Sequence, residues 1–168
     1  MHITQIIVDI KTGDASGADA DGPVYLGAGS REFRLAKEGD SFKRGNIDHF
    51  VLGSTGPGGA ANVRNPKDND PLQHMRIELP DLLGTNPFIT DPITIPYNSP
   101  YNVYIRYESN IKWLVEAVTV RVVGVYPPST PDFDVIFRVK FDITPPGIWL
   151  GEDFGKFLYL QPAVPTVP

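Results

Sequence analysis

The segment around residues 134–143 places Val135, Phe137, Val139, Phe141 and Ile143 at every second position, with Asp134, Arg138, Lys140 and Asp142 at alternate ones. Successive side chains point to opposite faces only in an extended strand, so this period selects β structure with one apolar face. Shorter runs repeat the pattern. Ile6, Val8 and Ile10 share a face within residues 3–10, a short run follows at 24–26, and Phe33 with Leu35 and residues 49–52 mark two more. Met75, Ile77 and Leu79 alternate with Arg76 and Glu78, and Val103, Ile105 and Tyr107 alternate with Tyr104, Arg106 and Glu108. In the longest signal, residues 113–126, Leu114, Val118, Val120 and Val122 are expected on one face, with Glu116 interrupting it. Residues 147–162 read as a turn and a closing strand. No long window has the 3.6-residue period of a helix. With eight or nine strands and no helix to cover a sheet, two sheets must cover each other. The expected fold is an all-β, antiparallel β-sandwich.

Composition narrows this further. The 168 residues include 16 Gly and 17 Pro, too many helix-breakers for a helical bundle. This length corresponds to one domain, and 41% hydrophobic content supplies a core. With no cysteine there is neither a disulfide framework, a thiolate metal site nor a Cys nucleophile. A net charge of −5 has the wrong sign for a phosphate-backbone binder, so no nucleic-acid partner is expected. Residues 1–14 lack a basic region ahead of an apolar one, and no run approaches the roughly 20 apolar residues of a membrane-spanning helix. The compartment is unknown from these features, which favour a cytoplasmic protein or part of an assembled particle. Any membrane contact is expected to be peripheral.

Two stretches depart from the strand rhythm. Residues 53–73 are rich in Gly, Pro, Asn and Asp and too long for an ordinary hairpin loop, so they are read as functional or mobile. Residues 80–100 carry five prolines around Leu82, Leu83, Phe88 and Ile89, suiting extended edge segments whose apolar residues either pack on the sandwich or contact a partner or lipid. The organisation expected is one sandwich over residues 1–162 and a Pro-rich tail, 163–168.

Four pieces in order carry a family resemblance. They are TGDASGADADGPVYLG at 12–27, FKRGNIDHF at 42–50, IRYESNIKWLVEAVTV at 105–120 and FDITPPGIWLGEDFGKF at 141–157. Together they resemble the PLAT, or lipoxygenase-homology, domain, in which a Thr-Gly-Asp strand end, a Gly-Ala loop, a Val-Tyr strand and a Phe-x-x-Gly-x-x-Asp-x-Phe segment recur. The resemblance spans residues 4–160 and leaves 53–73 and 80–100 as insertions. It implies an eight-stranded antiparallel sandwich that is not itself catalytic and binds membranes or proteins, often with calcium.

Calcium takes six to eight oxygen ligands from carboxylates, carbonyls and water. The family's ligands sit in two loops that here contain Asp14, Asp19 and Asp21, then Glu38 and Asp40, and Glu108 in a third loop can close the cluster. Asp19 stands where the family has Gly, a position that permits unusual φ. Asp and Asn are also ordinary turn residues that cap their own backbone. Trp113, Trp149, Phe42 and Phe50 match family positions that pack in or beside the core. Arg44 and Asp48 are placed to pair across the bend between them. His2, His49 and His74 lie far apart in sequence, and no nucleophile elbow, phosphate loop or metalloprotease motif is present. No catalytic residue is assigned and no enzyme activity is expected. The reading is a binding module that docks on a membrane or protein partner with calcium assistance. Its alternative is an assembly subunit of a virion, injection apparatus or filament, suggested by the lack of a visible export signal and the Pro-rich tail.

Overall fold

A computed structural model describes residues 2–28, 31–54, 56–74, 103–125, 137–142 and 147–162, with 2, 3, 73, 74, 124, 125, 137–142, 161 and 162 described by backbone alone. Ten strands and one helical turn follow in chain order: β1 (His2–Thr12), β2 (Val24–Ala28), β3 (Arg31–Arg34), β4 (Ile47–Leu52), α1 (Pro71–His74), β5 (Val103–Tyr107), β6 (Trp113–Val125), β7 (Phe137–Asp142), β8 (Ile148–Leu150), β9 (Phe157–Tyr159) and β10 (Gln161–Pro162). The larger sheet runs β10-β7-β6-β1-β4, with β8 also paired to β6, and the smaller runs β3-β2-β5-β9. All pairings are antiparallel. β7 pairs with residues 119–124 of β6 and β8 with 113–115, so the two share one edge of that strand. The fold is thus the expected β-sandwich, four strand positions to a sheet with the two-residue β10 added.

The core lies between the sheets, where Ile6, Val8, Ile10, Leu26, Phe33, Phe50, Ile105, Tyr107 and Trp113 are fully buried. On β6 the expected inner set is corrected. Trp113 and Val115 face inward at odd positions and Val118, Val120 and Val122 at even ones, while Leu114 is only half-buried. The register explains the switch: Lys11 pairs with Ala117 but Thr12 with Val115, so Glu116 is an extra residue. Such a bulge reverses which parity faces the core. Glu116 turns outward to Lys11.

The described part of 53–73 is tied down by hydrogen bonds, a structural role that neither of the two sequence readings anticipated. Gln5, buried on the outer side of β1, donates to the carbonyls of Gly53 and Gly59 and accepts from the Gly58 amide. Gly53 has φ +83° and its Cα lies so near the Thr4 carbonyl that a Cβ would stand 2.3 Å from it, which only glycine tolerates. Asn62 then exchanges backbone and side-chain bonds with Val51 and His49 along the free edge of β4. Val63 enters the core, and Asn69 bonds the Arg34 amide on β3. The segment therefore covers the outside of β1 and closes the edge between the sheets, as exposed sheet edges require.

Candidate functional site

The three loops that carry the predicted metal ligands do meet at one end of the sandwich. The Leu114 amide donates to the Ala18 carbonyl and the Gly45 amide to that of Gly13, which joins the first, second and third loops. The Phe-x-x-Gly-x-x-Asp-x-Phe piece is held by its own aspartate. Asp48, buried, accepts the Phe42 amide at 2.6 Å and pairs with Lys37 at 2.9 Å. This bond fixes Phe42 at φ 59°, a strained conformation for a bulky residue, and seats its ring against Phe50 and Trp113. The expected Arg44–Asp48 pair is not formed, because Asp48 points into the core and Arg44 out to Asp14, 2.9 Å away.

The six predicted ligands do not converge. Asp14 is taken by the Arg44 guanidinium, and Asp19 accepts the Arg44 amide. Asp21 accepts from Ser109 Oγ at 2.6 Å and Tyr107 Oη at 2.8 Å, and these bonds, Ser109's first, hold its carboxyl below the usual range. Glu108 pairs with Arg106 at 2.9 Å, while Glu38 and Asp40 are exposed in the second loop. Among the described residues no group of three or more His, Asp or Glu side chains could hold a metal ion. As arranged, these residues do not fit calcium: Asp14, Asp19, Asp21 and Glu108 already receive the protein's own donors, and Glu38 and Asp40 complete no group of three with them. The predicted contact residues Leu82, Leu83, Phe88 and Ile89 lie outside the described residues. His49 is an exposed side chain bound to Asp9 at 2.6 Å, with no other histidine beside it among the described residues.

Sequence reasoning missed the outer face of the smaller sheet. Register builds it in two rows: Arg34, Tyr25, Arg106 and Phe157, then Glu32, Gly27, Tyr104 and Tyr159. Arg106 grips Glu32 through two parallel bonds of 2.7 and 2.6 Å and lies 4.2 Å above the Tyr25 ring. Forked guanidinium–carboxylate pairs of this kind are strong and directional. Arg106 accordingly holds the Glu32 carboxyl below its ordinary value, and Glu32 raises Arg106 in turn. Tyr104 lies across Gly27, where a Cβ would stand 2.1 Å from the ring, and its phenol donates to Glu32. Burial, then Glu32, pushes that phenol up. Beside it, Tyr104 meets Phe157 and Tyr159 at 5.5 Å each, and these two rings stack at 6.3 Å. Phe157 is 49% and Tyr159 60% exposed. The available signal was that the outward positions of residues 103–107 carry Tyr and Arg rather than small polar residues.

A second apolar group sits at the loop end. Ile111 and Phe154 are exposed, Trp149 packs beside Phe154, and Lys112 Nζ lies 4.3 Å from the Trp149 ring centre.

No family model and no curated protein matches the sequence. Among solved structures, the chain is similar to alpha toxin from Clostridium absonum, at 18% identity and TM-score 0.50, covering 95% of this chain and 32% of the toxin. It is also similar to a LOX variant in complex with arachidonate, at 14% identity and TM-score 0.45, covering 95% of this chain and 16% of that one. The chain thus spans about a third of the toxin's length, and the likeness to the toxin shows a shared sandwich fold. No helix among the described residues is long and apolar enough to cross a membrane.

Proposed function

We propose that this chain is a non-catalytic binding module of the PLAT type that docks on a protein partner through the outer face of its smaller sheet. One observation carries the reading: the exposed rings of Phe157 and Tyr159, packed on half-buried Tyr104, form an aromatic strip beside a fixed Arg106–Glu32 pair. Aromatic residues and Arg dominate the energetic centres of protein interfaces, because they bury large area with few rotatable bonds. The strip is already ordered by the sheet register, so little freedom is lost when a partner covers it. No calcium step enters this contact, and no residue of the strip is assigned a catalytic role.

The test is photo-crosslinking from the strip. A photoreactive phenylalanine analogue at position 159, in the protein's native host, is expected to give one dominant protein adduct. The same probe at Ile47, exposed on β4, is expected not to. Absence of an adduct from 159, or the same adducts from both positions, overturns the proposal. If the adduct is a second copy of this chain, light scattering will show self-association, and the assembly-subunit reading is then the one that holds.

A second reading, peripheral membrane contact, is favoured by the exposed Ile111 and Phe154 beside Lys112 at the loop end. Apolar tips flanked by a cation suit a headgroup boundary. Sedimentation with phosphatidylcholine–phosphatidylserine vesicles tests it, and unchanged binding by an Ile111→Ser/Phe154→Ser variant removes it.

A further inference from the structure

The chain as a whole is acidic, yet the charged side chains that line one groove are mostly cations. It is a cleft of about 380 Å³ between the exit of the first loop at 20–24, the segment after β3 at 34–37, the second loop at 39–43 and Arg64. Arg34, Lys37, Lys43 and Arg64 line it, against two carboxylates, Asp21 and Asp40. Two of these charges are already committed. Lys37 Nζ bonds Asp48 and lies 5.1 Å from the Phe50 ring centre, while Asp21 is occupied by Ser109 and Tyr107. Arg34, Lys43 and Arg64 are exposed, and their side-chain cations make no hydrogen bond or ion pair with the described residues. Against them stands the carboxylate of Asp40.

We infer that this groove binds a small phosphate-bearing anion through Arg34, Lys43 and Arg64. A second observation is independent of the charge. Ser41 lines the same groove, and its hydroxyl oxygen is buried with no hydrogen-bond partner. A buried hydroxyl left unpaired calls for a physical reason, and a rotamer step toward the groove gives it one, as a donor to the anion. The frame is held in place: the Arg64 amide bonds the Ala36 carbonyl, the Arg64 carbonyl accepts from Asn69, and neighbouring Val63 is in the core. Three uncommitted cations facing one carboxylate match a doubly charged anion better than a single carboxylate ligand. Two guanidiniums also offer the forked donors that phosphate oxygens accept in pairs. The groove is separate from the aromatic strip and does not depend on the docking proposal.

The probes are inorganic pyrophosphate in solution, followed by calorimetry with the full chain, and phosphatidylcholine vesicles with and without phosphatidic acid. Saturable one-to-one binding of pyrophosphate is expected, and Arg34→Gln/Arg64→Gln weakens it about tenfold or more, as loss of charged hydrogen bonds implies. Ser41→Ala weakens binding a few fold while leaving thermal stability equal or higher, since it removes an unpaired buried polar atom. Arg121→Gln, an exposed cation outside the groove, leaves binding unchanged. Groove-dependent binding of pyrophosphate without vesicle binding identifies a soluble ligand. Groove-dependent binding to phosphatidic acid vesicles identifies a lipid headgroup, and both outcomes support the site. Failure of both probes to bind saturably, or equal loss in Arg121→Gln, overturns it. Neither result bears on crosslinking from position 159.

Discussion

Two groups of four aromatic rings sit on opposite sides of the same small sheet. Inside, Phe42, Phe50, Tyr107 and Trp113 pack with centroids 5.2 to 5.4 Å apart. Outside, Tyr104, Phe157 and Tyr159 meet at 5.5 to 6.3 Å, and Tyr25 joins them through Arg106, which lies 4.2 Å above its ring. Their ring chemistry is alike, and β5 supplies a tyrosine to each, Tyr107 inward and Tyr104 outward. An odd separation on a strand is what sends the two to opposite faces. The difference lies in how the polar tips end. Trp113 Nε1 donates to buried Thr12 and Tyr107 Oη to Asp21, so the inner rings bury fully without orphaned donors. The Tyr159 hydroxyl has no partner among the described residues and faces solvent. One group therefore contributes stability, and the other leaves its area available for binding.

The largest expected effect breaks that contrast if it fails to appear. Trp113→Ala removes the largest fully buried ring and its bond to Thr12, and should cost about 3 to 5 kcal/mol by chemical denaturation. Tyr159→Ala should stay within about 0.5 kcal/mol, the usual range for surface positions. Equal losses would mean that the outer strip is part of the packing, and the docking proposal would lose its ground. Tyr107→Phe asks a finer question, because it keeps the inner ring and removes its tip. It should cost about 1 kcal/mol, the usual worth of one hydrogen bond, and leave Trp113 fluorescence unshifted.

How far these groups could be read in advance follows from the period-two pattern. The inner faces of β1, β2, β5 and the second half of β6 were legible, since Ile6, Val8, Ile10, Val103, Ile105, Val118 and Val120 obey a single parity. Leu114 and Val115 were not, because the bulge at Glu116 exchanges the parity and a residue count cannot locate it, whereas Trp113 was placed in the core by the resemblance. Phe42 and Phe50 were placed in the core correctly, but the partner of Asp48 was not. Its burial depends on Phe42 taking a positive φ, which only the folded second loop enforces. The acidic loops were correctly gathered at one end. The donors that occupy them, Arg44 and Tyr107, come from other segments and leave no local signal. The outer strip depends on β9 pairing beside β5, a contact between residues more than 50 apart in sequence.

A pH titration sharpens the contrast at the outer group. The folded Glu32 carboxyl lies below its ordinary value of 4.5, held there chiefly by the Arg106 fork. Its contribution to stability is therefore present above that value and lost as pH falls through the lower folded value. Thermal stability followed from neutral pH to about pH 2 should decline at the acid end, and Glu32→Gln should flatten that part of the curve. Asp21, lowered from 3.8, acts with the same sign under the inner group, so some acid loss should survive in the variant. A curve unchanged by Glu32→Gln would show that the fork contributes nothing measurable, as surface ion pairs often do.

The smallest expected effect concerns calcium, and it asks whether the loop end beneath the inner rings is closed by the protein itself. Asp14 and Asp19 are both engaged by Arg44, one through the guanidinium and one through the backbone amide, and Asp21 is engaged by Tyr107 and Ser109. An ion entering there must displace a cation and two hydroxyl donors before it gains its oxygens. Melting curves of the wild-type chain in calcium and in chelator should therefore coincide. Arg44→Ala frees Asp14 while leaving the backbone amide on Asp19, so a calcium-dependent rise confined to that variant would show the guanidinium standing where the ion would. A rise in the wild type would show instead that the loops rearrange around calcium. The tip of Tyr107 would then be shared between the core and a metal site, and the division between an inner group for stability and an outer one for binding would no longer hold.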